Sequence, residues 1–237
     1  VFICSFIFRN NYVNERAEYI RLANFPLPEE QKIKTLEAIK NKNCGYRYSV
    51  SAENYKKIPG CPIAYWVSKK IFRAFETYKK IEDYAEVATG ISTGNNDDYL
   101  RMWQEIEFGD IAIYKNDMSE IDLHLQHYIP YNKGGNARKW YGNNDHVVKW
   151  SENAKFHRPR PVFKHLYLKE GLTWSFVTSG LFSARYYPNG FLWDVAGSPC
   201  VAKDKNILLY LLGFLSTKIA ANILKIINPT VNCQVID

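Results

Sequence analysis

The stretch that most limits how this chain can fold is its most apolar one, Asn206 to Ile227, NILLYLLGFLSTKIAANILKII. About twenty consecutive apolar residues are enough to cross a bilayer as one helix. Here Ser216, Thr217, Lys218 and Asn222 interrupt the run, and Gly213 with Lys218 fits a bent or paired core helix. The expectation is one or two helices that bury an apolar face against the rest of the domain. Asn228-Pro229 ends the run, because a residue before proline is biased away from the helical region.

Such helices need a surface to cover, and the sequence between 85 and 200 reads as short strands. Val87-Ala88 opens the series, and Tyr99, Arg101 and Trp103 alternate with Leu100 and Met102. Residues 110–114 (DIAIY) repeat the strand pattern, and Asp117 is placed to cap a short helix through Leu125. Further strands are expected near 172–178, 182–187 and 190–195, with Pro188-Asn189-Gly190 between aromatics as a hairpin turn. The fold class is therefore α+β: a twisted, mixed or antiparallel sheet with packed helices. Earlier in the chain, residues 2–8 read as a short buried strand. Pro28-Glu29-Glu30 starts an amphipathic helix over 29–41 with Ile33, Leu36 and Ile39 at helical spacing along its apolar side. A second helix is expected over 65–79, with Trp66, Ile71, Phe72, Phe75 and Tyr78 as its buried side.

Composition places the chain among globular proteins, since 46% of its 237 residues are hydrophobic and 23% charged, which excludes disorder. The five cysteines are far apart and form no C-x-x-C pair, so neither a zinc ribbon nor a disulfide framework is supported. A reduced, cytoplasmic setting without a membrane span is the expectation.

Charge is unevenly spread. Residues 131–169 hold nine Lys and Arg against Asp145 and Glu152, an excess equal to the +7 of the whole chain. At the head of that segment lies Tyr131–Trp150, YNKGGNARKWYGNNDHVVKW. Lys133, Lys139 and Lys149 suit phosphate contacts. Arg138, Arg101 and the amides Asn132, Asn143 and Asn144 suit bidentate readout of bases. Trp140, Tyr141 and Trp150 offer faces for stacking, and Gly134-Gly135 lets a backbone approach a ligand closely. A polyanion partner follows from this grouping. Thr93, Asn95 and Asn96 in the amide-rich turn, and Arg185, complete the candidate DNA-binding set. The competing reading is a polar surface loop with half-buried aromatics.

Catalytic signatures are missing. Gly90-Ile91-Ser92-Thr93-Gly94 lacks the lysine of a P-loop and the three-glycine spacing of a dinucleotide fold. His124 and His127 have no third ligand at a metal-site spacing, and no Gly-x-Ser-x-Gly elbow occurs. Glu30-Gln31-Lys32 resembles the end of a nuclease motif, a triplet common on exposed helices.

Several motifs together resemble the Pgl/BREX-type phage-defence adenine methyltransferases, the PglX family. They are Ile58-Pro59-Gly60-Cys61-Pro62-Ile63-Ala64-Tyr65-Trp66, Gly90-Ile91-Ser92-Thr93-Gly94-Asn95-Asn96, and Arg101-Met102-Trp103. Tyr131-Asn132-Lys133-Gly134-Gly135, Arg138 to Asn143, Glu170 to Ser175, and Leu211 to Lys218 followed by Asn228-Pro229-Thr230 continue the series in the family's order. The resemblance implies that residues 1–80 are the end of a methyltransferase domain and a helical connector. It implies that residues 81–237 are a DNA target-recognition domain. It also implies that the S-adenosylmethionine loop and an Asn-Pro-Pro-Tyr-type catalytic motif belong to the parent protein before Val1, with no cofactor in this segment. The partners implied are duplex DNA, the parent's own N-terminal methyltransferase domain and other defence-system proteins. Three functions stay open: a DNA recognition module, a nuclease with an unrecognised site, and a protein-interaction scaffold.

Overall fold

The computed structural model of the chain describes residues 4–10, 16–151, 154–175 and 182–228. The chain divides into two compact units, residues 1–78 and 79–237.

In the first unit, strand β1 (Ala17–Ile20) pairs antiparallel with β2 (Arg47–Val50), and helix α1 (Pro28–Lys40) links them. Pro28 sits in the first turn of α1 with Glu29 and Glu30, where a fixed φ and negative charge favour a helix start. At the other end, Arg47 Nη1 donates to the Ala38 carbonyl at 2.7 Å, satisfying an orphan acceptor of the last turn. A turn of 3₁₀ helix (Ala52–Lys57) and helix α2 (Lys69–Thr77) follow. Tyr19 stacks on Tyr65 at 4.4 Å, and the Arg21 guanidinium covers Trp66 at 4.1 Å.

Three expectations for this region change. Residues 4–8 form no strand, and Phe6, Ile7 and Phe8 are exposed, because no neighbouring strand among the described residues satisfies their backbone. Residues 2 and 3 lie outside the described residues. In α1 the buried position is Ala38, while Ile33, Leu36 and Ile39 face outward. The second helix is shorter than expected; Phe72 is its buried residue, and Tyr78 lies beyond its end, 74% exposed.

The second unit is α+β with two sheets. Its short elements are α3 (Ile81–Tyr84), β3 (Ala85–Val87), α4 (Asn96–Tyr99) and β4 (Leu100–Met102). Then come β5 (Tyr128–Asn132), β6 (Trp140–Tyr141), β7 (His146–Lys149), β8 (Gly171–Trp174), β9 (Ala184–Tyr187), β10 (Leu192–Trp193) and β11 (Pro199–Ala202). One sheet has the order β10-β5-β7-β4 and the other β3-β11-β8-β9-β6. Pairs β10/β5 and β6/β9 are parallel and the others antiparallel, so both sheets are mixed.

The apolar run becomes α5 (Lys205–Leu215) and α6 (Lys218–Ile227), bent by 79°. Asp204 and Thr217 cap them by accepting the Asn206 and Ala220 amides. No single helix among the described residues is long and apolar enough to cross a membrane. Leu208, Leu211, Leu212 and Leu215 of α5 pack on Leu172, Trp174, Ala184 and Cys200 of the five-stranded sheet. Alternation along β8 and β9 then puts Thr173, Arg185 and Tyr187 on the opposite face. Tyr187 there joins a second core with Ile129, Tyr131, Val148, Leu192 and Trp193.

Several local readings are corrected. Residues 110–114 make a single bridge, Ile111 to Tyr128, because Tyr114 turns the chain away with φ +58°. Asp117 does cap through the Ser119 amide, but only a 3₁₀ turn, Met118–Glu120, follows. Pro188-Asn189-Gly190 is not a hairpin: it carries the chain from β9 in one sheet to β10 in the other. Gly190 has φ +92° and donates to the Leu168 carbonyl at 2.8 Å, which fixes that departure. The expected strand over 172–178 ends in β8 at Trp174; residues 176–178, Glu152 and Pro229 lie outside the described residues.

Candidate nucleic-acid interface

The basic segment leaves β5 at Asn132, crosses to the edge of the five-stranded sheet as β6, and returns to the first sheet as β7. Its backbone is unusual. Gly134, Gly135 and Gly142 adopt φ of +84°, +102° and +119°, and Trp140 and Asn143 join them at +74° and +62°. Glycine enters this region freely and other residues rarely do, so the segment is a set of tight turns held by its surroundings. One such constraint is space. A Cβ on Gly134 would lie 2.3 Å from the Ala196 carbonyl oxygen.

Arg138, Lys139, Trp140 and Tyr141 are all exposed along this flap, with Trp140 at 56% and Tyr141 at 58%. Lys139 Nζ lies 3.5 Å from the Ser216 carbonyl at the end of α5. Lys149 is exposed at the end of β7. Tyr141 also lines a cleft of about 230 Å3 with Trp103, Phe108, Tyr114, Asn144 and His146. The candidate set read from the sequence did not include Trp103, Phe108 or Tyr114, which line this cleft and are 47%, 71% and 74% exposed.

The other candidates are held more deeply. Lys133 Nζ contacts Asp194 Oδ2 at 2.7 Å and Asn96 Oδ1 at 3.3 Å. Thr93, buried, donates its hydroxyl to the same Asn96 oxygen at 2.8 Å. Asp194 also accepts from the Tyr131 hydroxyl and the Ala196 amide, and its own amide donates to the Asn132 carbonyl. Burial and the neighbouring Asp194 carboxylate raise the Tyr131 pKa, so the phenol stays a donor. Asp194 thus ties the Gly90–Asn96 turn to Tyr131–Lys133. The sequence hint it carries is a lone acid in an apolar stretch, Phe191-Leu192-Trp193-Asp194-Val195.

Asn132 is buried and donates to Asn144 Oδ1 at 3.2 Å, while Asn143 Nδ2 donates to the Asn136 carbonyl at 2.9 Å. Asn95 is spent as the cap of α4, accepting from the Asp97 amide and donating to Asp98. Arg101 Nη1 donates to the carbonyls of Asp97 and Leu100, both at 2.6 Å. Arg185 is fully buried on β9, opposite Thr173. Burial first, and then the like charge of Arg138, lower its pKa to about 10, which leaves it charged at neutral pH. The structure therefore gathers Thr93, Asn96, Lys133 and Asn132 around Asp194, and sets Arg138, Lys139 and Tyr141 outward. Arg101 bonds the carbonyl of Asp97, next to Asn96, and Lys149 stands exposed at the end of β7.

His124 and His127 do not share a helix face; His127 pairs with Asp110. Among the described residues no group of three or more His, Cys, Asp or Glu is placed to hold a metal ion.

No protein-family model matches the chain. Two curated proteins do. It is 34% identical to "Adenine-specific methyltransferase PglX" of Lacticaseibacillus casei over 229 residues, 92% of this chain and 19% of that protein. It is 30% identical to "Adenine-specific methyltransferase BrxX" of Escherichia coli O9:H4 over 185 residues, 76% of this chain and 15% of that protein. The chain thus spans less than a fifth of the length of either relative. With motifs and alignment agreeing over most of its residues, it is a relative of the Pgl/BREX-type adenine-specific methyltransferases.

Proposed function

We propose that this chain is the DNA target-recognition part of a phage-defence adenine-N6 DNA methyltransferase, and that it fixes the register of duplex DNA for a catalytic domain elsewhere in the parent. Residues 81–237 carry that role in this reading. The observation that bears most weight is the flap, where Arg138, Lys139, Trp140 and Tyr141 stand exposed in one short segment. Cations contact phosphates, and aromatic faces stack on sugars or bases. An adenine inside a duplex must be flipped out before it is methylated, so something must hold the rest of the helix. S-adenosylmethionine and the flipped base belong, in this reading, to the parent's catalytic domain. A cytoplasmic setting goes with such a substrate.

Lys139 and Lys149 are assigned to the backbone. Asn96 uses its oxygen for Thr93 and Lys133, which leaves its amide nitrogen as a donor for a base edge. The test is duplex affinity as a function of salt. If each lysine neutralises one phosphate, Lys139→Ala and Lys149→Ala should each reduce the slope of log affinity against log salt by about 0.9. Binding should fall alike on different sequences. If both lysines can be replaced with slope and affinity unchanged, the flap is a surface loop and the reading fails.

A further inference from the structure

Arg185 is a fully buried cation with only one of its three side-chain nitrogens bonded among the described residues. Its Nη1 donates to Ser175 Oγ at 3.3 Å, and that hydroxyl donates to the Gly135 carbonyl at 2.6 Å. Among the described residues its Nε and Nη2 have no hydrogen-bond partner, and neither has Thr173 Oγ1, which belongs to the residue directly across the strand pair. Nε and Nη2 together make one edge of the guanidinium plane, an edge that grips an oxyanion through two parallel bonds. The charge bearing on Arg185 is that of Arg138, of the same sign. Burying an unpaired guanidinium is strongly unfavourable, and an anion on that edge would offset it.

The flap beside Arg185 is held to the sheet by a short pairing. β6 pairs with β9 only at Trp140–Arg185 and Tyr141–Tyr186. Turns at Gly134, Gly135 and Gly142 flank it, each in the left-handed region, and Gly135 supplies the carbonyl that holds Ser175. A two-residue edge strand on glycine turns gives few backbone bonds to hold the flap, and next to it, linked through Ser175 to Gly135, lies the buried, unfilled edge of Arg185.

We propose that Arg185, with Thr173 and the neighbouring Arg138, forms a phosphate-binding site beside the Gly134–Gly142 flap. The phosphate chemistry stands on these side chains alone. That the phosphate comes from the DNA backbone rests on the recognition reading above.

The probe is inorganic phosphate on the whole chain, against sodium chloride at equal ionic strength. Phosphate at ten times its Kd should raise the melting midpoint of the wild type by about 3–6 °C. Arg185→Met should abolish that gain and, in chloride, melt no lower than the wild type, since an unpaired buried charge has been removed. Arg138 is exposed, so Arg138→Gln keeps the fold and should shrink the gain. Absence of a phosphate-specific rise in the wild type, or a rise that survives Arg185→Met, overturns the site. If Arg185→Met does not fold, an undiminished rise in Arg138→Gln overturns the two-arginine arrangement. Competition for labelled duplex identifies the source. Displacement by phosphate beyond that by chloride, in the wild type but not in Arg185→Met, supports a backbone phosphate. Equal displacement by the two salts overturns that source in favour of free phosphate. A chain that takes phosphate through Arg185 but binds no duplex refutes the recognition reading and leaves this site standing.

Discussion

Lys133 Nζ lies 2.7 Å from Asp194 Oδ2, and the two side chains are 28% and 5% exposed. That geometry makes Lys133 first of all the counter-charge of a buried carboxylate. Removing one member of such a pair leaves the other desolvated and unpaired. Lys133→Ala should therefore destabilise the chain by about 1.5–3 kcal/mol in urea unfolding. Adding Asp194→Asn should restore part of that stability, because the orphaned charge goes with it. If Lys133→Ala leaves stability intact but flattens the salt dependence of duplex binding, the lysine belongs to DNA and the structural assignment is wrong. By the same reasoning Asn95, used as a cap, is a poor candidate for base contact, whereas Lys139 is a good candidate for phosphate.

Among the elements, α5 and the Gly90 turn respond to a methyl group in opposite ways. Gly213 lies within α5, and a Cβ there meets no atom within 4 Å. Gly213→Ala should stabilise by about 0.5–1 kcal/mol through helix propensity. At Gly90 a Cβ would fall 2.1 Å from the Asp194 carbonyl oxygen, which is backbone and cannot rotate aside. Gly90→Ala should cost about 1–3 kcal/mol or more, and a neutral result would show that the turn does not lie against Asp194. The join between β8 and α5 carries a pH dependence. The Lys205 ammonium, outweighing burial and aided by the Tyr186 hydroxyl, holds the Glu170 carboxyl below its ordinary 4.5. A depressed carboxyl stabilises the fold above its unfolded pKa and loses that contribution as pH falls through the folded value. Wild type should thus lose more stability than Glu170→Gln on acidification below about pH 4.5. The difference should be small because Lys205 is 81% exposed and screened by solvent.

On the scale of the molecule, the chain spans 19% of one methyltransferase relative and 15% of the other. In the proposed reading the cofactor loop and catalytic motif lie in other parts of the parent. The chain alone should accordingly show no saturable S-adenosylmethionine binding by calorimetry. Micromolar binding would place cofactor contacts within these residues and overturn the division of labour proposed here.

Local composition was enough for the α+β class, the helical character of 206–227, the proline-led start of α1 and the clustering of positive charge in 131–169. Each depends on periodicity, proline or charge within a few residues, which a sequence displays directly. The pairing of β6 with β9, the parallel pairing of β10 with β5, and the departure of the 188–190 turn from a hairpin depend on partners far along the chain. So do the division of Lys133 from Lys139 and the burial of Arg185. In sequence these are three similar cations on an aromatic-rich background. Only the tertiary structure, by desolvating one, pairing another with a buried acid and leaving the third in water, makes them chemically different.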